Sequence, residues 1–191
     1  MKSTIRFVAL LASLVPFLQS CIPVIVGAGV GAGIMLAEDR RTSATVLEDQ
    51  TIESKAKNRI TEKYGDQVKI SVTSFNRFVL LSGQAPTDVI KQDVSVLVLE
   101  VANVRNIQNE IIVGGMSSTM SGASDALLTS QVKGRLAKNK DVSATNIKVV
   151  SENGTVFLMG LVTRAEAESA SQTAATTSGA QRVVKVFEYL D

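Results

Sequence analysis

The chain has 191 residues, with 20 basic and 18 acidic side chains. It contains no histidine, no tryptophan and a single cysteine, which excludes imidazole bases and histidine-ligated metal sites. Two of the basic residues, Lys2 and Arg6, fall in a leader; without them 18 basic residues balance 18 acidic ones. A polycation that binds nucleic acid is therefore not expected.

The first segment is an apolar leader that ends at the cysteine. Lys2 and Arg6 begin it, and Leu18-Gln19-Ser20-Cys21 closes it. A cationic start, a short apolar centre and small or polar residues before a cleavage site are typical of a secretory signal. A buried core helix and an uncleaved anchor are the alternatives. Both are disfavoured, because the stretch is shorter than the roughly 20 residues of a spanning helix and Pro16 interrupts it.

A cysteine directly after such a leader resembles the lipobox, the motif at the signal-peptide cleavage site of bacterial lipoproteins. The resemblance implies that residues 1–20 are removed and that Cys21 carries a thioether-linked diacylglycerol and an N-acyl chain, with no other cofactor. The residue after the cysteine is Ile22. An aspartate at this position would resemble an inner-membrane retention signal. Because it is absent, an outer-membrane location facing the periplasm is expected. Residues 21–46, with alternating glycines from Gly27 to Gly33, are predicted to form a flexible tether.

An internal repeat follows the tether. The helix-spaced residues Ile52, Ala56 and Ile60 recur 76 positions later as Leu128, Val132 and Leu136. Two short apolar strands follow each set, starting at Ile70 and Val79 and again at Ile147 and Val156. A second helix and a third strand, 107–113 or 183–189, complete each unit. The predicted domains are 47–113 (module one) and 124–191 (module two), joined by a linker at 114–123.

Local residue types support these boundaries. Asn153-Gly154 between two apolar runs predicts a tight hairpin, whereas Asn76-Arg77 lacks the glycine and predicts a looser turn. Thr163 with Glu166 fits a capping box. We expect Asp125 to cap the first helix of module two, over 125–140, and Asn103 and Gly179 to occupy left-handed C′ positions.

The second strand of each module is apolar on both faces. Val79 and Leu81 alternate with Phe78 and Leu80, and residues 156–159 repeat the pattern. Because a sheet with one solvated face should alternate apolar and polar residues, we expect the two sheets to be buried against each other. Contact with a different partner, or partial exposure, is the alternative.

The tandem units, each with a glycine closing the second strand, resemble BON domains. The run from Glu152 to Thr163, behind a lipoprotein leader and a glycine-rich tether, is similar to the family of dual-BON outer-membrane lipoproteins. The resemblance implies an α+β fold of two tandem BON domains. Each domain is α-β-β-α-β, with a small three-stranded mixed sheet and two helices on one face. It also implies a non-enzymatic protein that binds anionic phospholipid, supports envelope integrity and concentrates at the division site.

The family's lipid contact maps to the first helix of module two. There Leu127 is expected to face outward, and a basic helix of this kind can lie in the membrane interface. The candidate membrane-binding residues are Leu127, Ser130, Gln131, Lys133, Gly134 and Lys138, with Phe75 of the module-one turn as an additional candidate. A member of the family has an aromatic residue at the position of Leu127; leucine can still insert into a membrane, but it lacks the polar group of tryptophan.

Two other functions stay open from the sequence. One is an adaptor that binds outer-membrane assembly proteins in the periplasm. The other is an enzyme, which the missing histidine and the acylated cysteine disfavour. A monomer is the expected oligomeric state.

Overall fold

A computed structural model describes residues 39–114 and 120–191 of the chain. The predicted signal peptide, the lipidated Cys21 and most of the tether and linker lie outside the described residues. The described residues belong to one compact unit, Leu36–Asp191. Within them, no helix is long and apolar enough to cross a membrane.

Module one is built in the predicted order of elements. Helix α1 (Ser43–Tyr64) is capped by the Thr42 hydroxyl and ends at Gly65, and strands β1 (Lys69–Phe75) and β2 (Phe78–Ala85) follow. Helix α2 (Asp88–Leu99) precedes β3 (Asn106–Asn109) and β4 (Ile112–Val113). Strand β2 pairs antiparallel with β1 and parallel with both β3 and β4, so the sheet is mixed.

The third strand of module one differs from the prediction, because it is interrupted between β3 and β4. Asn109 turns its side chain towards α2, where its Nδ2 donates to the Lys91 carbonyl and the Ser95 hydroxyl. Its Oδ1 accepts from the N–H of Ile111, which turns inward and is 1% exposed. Local side-chain bonds of this kind compete with ladder pairing and break the strand.

Module two repeats the architecture with an unbroken third strand. It comprises helix α3 (Met120–Leu136), strands β5 (Ile147–Glu152) and β6 (Thr155–Val162), helix α4 (Arg164–Ala175) and strand β7 (Arg182–Tyr189). Strand β6 pairs antiparallel with β5 and parallel with β7. The α+β class with two mixed sheets is confirmed. The predicted capping box is also present, with Thr163 and Glu166 each bonding the other's backbone.

Each module buries its helices on one face of its sheet. The repeated helix residues are the centre of these two cores: Ile52, Ala56 and Ile60 in module one, and Leu128, Val132 and Leu136 in module two. Their spacing of four residues places one face of α1 and of α3 against the strands. The faces of the helices were therefore predicted correctly.

The opposite faces of the two sheets pack against each other, as expected from the doubly apolar strands. Phe75 and Leu80 of module one form one buried cluster with Phe157, Met159 and Val186 of module two. Ion pairs surround this cluster: Lys148–Glu53 at 2.7 Å, Arg182–Glu110 at 3.1 Å and Arg105–Glu188 at 3.3 Å. The two modules therefore share a third apolar core.

Three local predictions need correction. The Asn76-Arg77 turn is as tight as Asn153-Gly154, since both are two-residue turns with positive φ at both positions. Asn103 and Gly179 have the expected positive φ of 70° and 90°, but each lies beyond the C-cap, in the loop after its helix.

Helix α3 also has different ends from the predicted 125–140. It already includes Met120–Gly122, part of the predicted linker, so Asp125 is not its N-cap. It ends at Leu136, where Asn139 turns away and its amide donates to Ser169 and Thr173 on α4. Helix α1 likewise begins at Ser43, within the predicted tether.

Candidate functional site

Helix α3 presents an outward face on the side away from its core. Leu127 is 61% exposed on this face, although leucine is usually buried. Ser130, Gln131 and Gly134 are exposed beside it, at the spacing of one helical face. The structure therefore brings together four of the predicted membrane-binding residues.

Gly134 leaves an open surface on this helix. A Cβ built on it would meet no heavy atom within 4 Å, so nothing in the described part of the chain requires a glycine there. Glycine inside a helix costs about 0.5–1 kcal/mol relative to alanine. No packing contact among the described residues therefore explains this glycine.

Basic side chains gather at the C-terminal end of α3. Lys133 is exposed on the helix but lies beside Thr145 and Ile147, on a different side from Leu127. Lys138 and Lys140 are placed in the turn that follows the helix. None of the three forms an ion pair with the described residues. Arg135 is held in place, because its guanidinium donates to the hydroxyls of Thr176 and Thr177, each at 2.9 Å. Cations here are also favoured by the helix dipole.

Asp125 has a role that the sequence interpretation missed. It is buried, and its carboxylate accepts from the backbone N–H groups of Asn153 (2.9 Å) and Gly154 (3.1 Å), which fastens the β5–β6 turn to α3. Asp49 does the same in module one for Asn76 and Arg77, at 2.9 and 2.7 Å. The 76-residue offset that aligns the two helices also aligns Asp49 with Asp125. The internal repeat could therefore have indicated that the two aspartates have the same role.

A cavity of about 410 Å³ opens beside Leu127. Its walls come from α3, the Asn153-Gly154 turn and the loop after α4 that contains Ser178 and Gly179. Among its lining residues Asp125 is the one charged side chain, and its carboxylate is already bonded to the turn. The cavity thus combines an apolar side with uncharged polar groups.

Phe75 is not part of this surface, which corrects the additional candidate. Its side chain is 4% exposed within the cluster shared by the modules, and the Arg41 guanidinium covers its ring at 3.8 Å from the centroid. Phe75 ends strand β1 and lies in the interface between the two sheets.

Two consecutive arginines attach the end of the tether to both modules. Arg40 donates to Glu166 (2.7 and 2.9 Å) and to the Leu161 carbonyl (2.8 Å) of module two. Arg41 pairs with Asp49 of module one at 2.9 Å. The hydrogen bond from Arg40 lowers the pKa of Glu166 to about 2, and the bond from the Thr163 backbone adds to this.

Known proteins match this chain over most of its length. A family model described as the BON domain matches residues 48–115 and again residues 124–191. The chain is 36% identical over 191 residues to the outer membrane lipoprotein DolP of Haemophilus influenzae, covering 99% of this chain and 98% of that protein. It is 32% identical over 154 residues to a 21 kDa hemolysin of Actinobacillus pleuropneumoniae, covering 80% and 79%.

A solved structure of CdsD is also similar. CdsD is a structural protein of the type III secretion system of Chlamydia trachomatis. The match covers 76% of this chain and 92% of that chain, with 13% identity and a TM-score of 0.31.

Proposed function

This chain belongs to the family of dual-BON outer-membrane lipoproteins that includes DolP, and on that premise we propose that it is a non-enzymatic protein that binds anionic phospholipid through helix α3 of module two. Cys21 is the proposed lipid anchor. The proposed biological role is support of envelope integrity at the division site.

The exposed Leu127 is the observation that carries this proposal. Burying a leucine side chain completely is favourable by about 1.5–3 kcal/mol, and Leu127 is 61% exposed in the free protein. Each lysine near an anionic surface adds on the order of 1 kcal/mol. Leu127, together with the unpaired Lys138 and Lys140 in the turn after α3, therefore supports weak, reversible binding to a membrane.

The acyl chains on Cys21 and helix α3 have different tasks in this proposal. Several acyl chains hold a protein permanently, whereas one apolar side chain and a few cations do not. Because the anchor keeps α3 close to the bilayer, even a weak second contact is occupied much of the time. Helix α3 therefore determines which lipids surround the anchored protein.

Vesicle binding by the chain from Ile22 onward tests the proposal without acyl chains. This chain contains the whole compact unit Leu36–Asp191. We expect it to sediment with phosphatidylglycerol vesicles, and Leu127→Glu to weaken binding at least tenfold. Leu47→Glu is the matched control, since Leu47 is 63% exposed on α1 of module one. Equal binding by the Leu127→Glu variant and the unsubstituted chain would disprove the site.

One surface of module one favours a second candidate function, the adaptor for outer-membrane assembly proteins. Val89, Val96 and Leu99 on the outward face of α2 are each more than half exposed. Apolar residues in one stripe can contact a protein partner. If the chain acts as this adaptor, Val96→Asp abolishes crosslinking to the assembly machinery, and Leu127→Glu has no effect on it.

A further inference from the structure

The cavity beside Leu127 has two chemically different sides. Leu127 and Leu128 are its apolar lining residues. Gln131 lies beside them, one helical turn after Leu127, and Asn153, Ser178 and Gln181 line the cavity from the turn and the loop. No hydrogen bond within the described part of the chain engages any of these four side chains. The cavity therefore offers several free, uncharged donors and acceptors next to an apolar residue.

Two residues of the cavity wall have backbone conformations that favour glycine. Gly154 and Gly179 line it with φ of +71° and +90°, values that other residues rarely adopt. A Cβ on Gly154 would lie 2.9 Å from the Gln181 side chain, so the glycine allows Gln181 to lie against the turn. At about 410 Å³ the cavity is near the lower end of the range for small-molecule sites. This volume suits a lipid headgroup rather than a pair of acyl chains.

The charges around the cavity indicate which part of a lipid could enter. No lysine or arginine lines it, and the bonded carboxylate of Asp125 disfavours a phosphate inside. Arg135 lies one helical turn beyond Gln131 on the same side of α3 and is bonded to Thr177, next to Ser178. A phosphate would therefore bind near Arg135, and the uncharged end of the headgroup would enter the cavity.

From this arrangement we propose that the cavity binds the uncharged, hydroxyl-bearing end of an anionic phospholipid headgroup, such as the terminal glycerol of phosphatidylglycerol. The inference rests on the proposed function, because Leu127 must bring the cavity to the membrane. Free amide and hydroxyl groups discriminate for ligand hydroxyls, since a ligand without them leaves those groups unpaired when water is excluded.

Two lipids with the same charge test this proposal. Phosphatidylglycerol and phosphatidylethanol both carry one phosphodiester charge, but the ethanol headgroup has no free hydroxyl. Vesicles with equal fractions of either lipid in phosphatidylcholine are titrated with the chain from Ile22 onward. We expect binding to phosphatidylglycerol to be about 2- to 10-fold tighter than binding to phosphatidylethanol, because one or two neutral hydrogen bonds contribute a difference of this size.

Alanine variants assign the preference to the cavity. Ser178→Ala and Gln181→Ala should weaken binding to phosphatidylglycerol about 2- to 10-fold and leave binding to phosphatidylethanol unchanged. Gln92→Ala, on the exposed face of α2 in module one, is the matched control and should change neither. Melting curves by circular dichroism should be the same for all three variants.

The outcomes separate this inference from the proposed function. Equal binding of the unsubstituted chain to both vesicles overturns the cavity proposal, and so does an equal loss on both vesicles in the Ser178→Ala and Gln181→Ala variants. Under either result Leu127→Glu still weakens binding to both lipids, and the proposed function stands. Binding to neither vesicle overturns the proposed function, and the cavity proposal with it.

Discussion

Replacing Glu166 by glutamine should destabilise the protein at neutral pH and have little effect in acid. Glu166 accepts two hydrogen bonds from the Arg40 guanidinium, and its side chain is 14% exposed. Glutamine keeps an acceptor oxygen for the Thr163 N–H and so preserves the capping box. The substitution therefore removes mainly the charge from the contact between Arg40 and module two.

The size of the effect follows from the pKa of Glu166, which falls from 4.5 to about 2 in the folded protein. A difference of this size corresponds to at most about 3 kcal/mol of unfolding free energy. Arg40 is 32% exposed and solvent screens the pair, so we expect about 1–2 kcal/mol. Because the folded pKa is depressed, this contribution is complete above about pH 5 and is lost as the pH falls from 4.5 through 2.

Urea unfolding followed by far-ultraviolet circular dichroism at several pH values measures the effect. The difference in unfolding free energy between the unsubstituted chain and Glu166→Gln should be about 1–2 kcal/mol at pH 7 and should shrink steadily below pH 4.5. Glu168→Gln is the control, because Glu168 is 73% exposed in its pair with Lys185 and its loss should cost less than about 0.5 kcal/mol. A pH-independent difference, or none at pH 7, would refute the reasoning.

Two further substitutions test other parts of the structure. Gly134→Ala should raise the unfolding free energy by about 0.5–1 kcal/mol, since nothing lies within 4 Å of the added Cβ; destabilisation in thermal melts would contradict this. Phe157→Ala should cost about 3–5 kcal/mol, because the ring is 2% exposed in the cluster shared by the modules. A protease should cleave the Phe157→Ala variant near the interface between the modules. If the variant resists the protease as well as the unsubstituted chain does, the cluster does not hold the modules together.

The regular elements could be predicted from sequence because each has a local signal. The buried face of α1 is predicted by the spacing of Ile52, Ala56 and Ile60 alone. The strand from Phe78 is apolar on both faces, which indicated that both faces of the sheet are buried. The exposed position of Leu127 followed from the same helix spacing. These predictions depend on neighbours within a few residues along the chain.

The remaining features depend on partners that are distant in sequence. The tight turn at Asn76-Arg77 needs the Asp49 carboxylate, 28 residues from Arg77, to bond its N–H groups, and no local pattern shows this. Arg40 and Glu166 are 126 residues apart. The cavity beside Leu127 combines a helix, a turn and a loop, so its lining residues become neighbours only in the folded protein.

The pair of arginines has a mechanical consequence for a protein held at its N-terminus. Among the described residues, Arg40, bonded to module two, and Arg41, bonded to module one, precede the start of α1. Tension on the proposed anchor at Cys21 would therefore act on contacts with both modules before it reaches the first turn of α1 at Ser43.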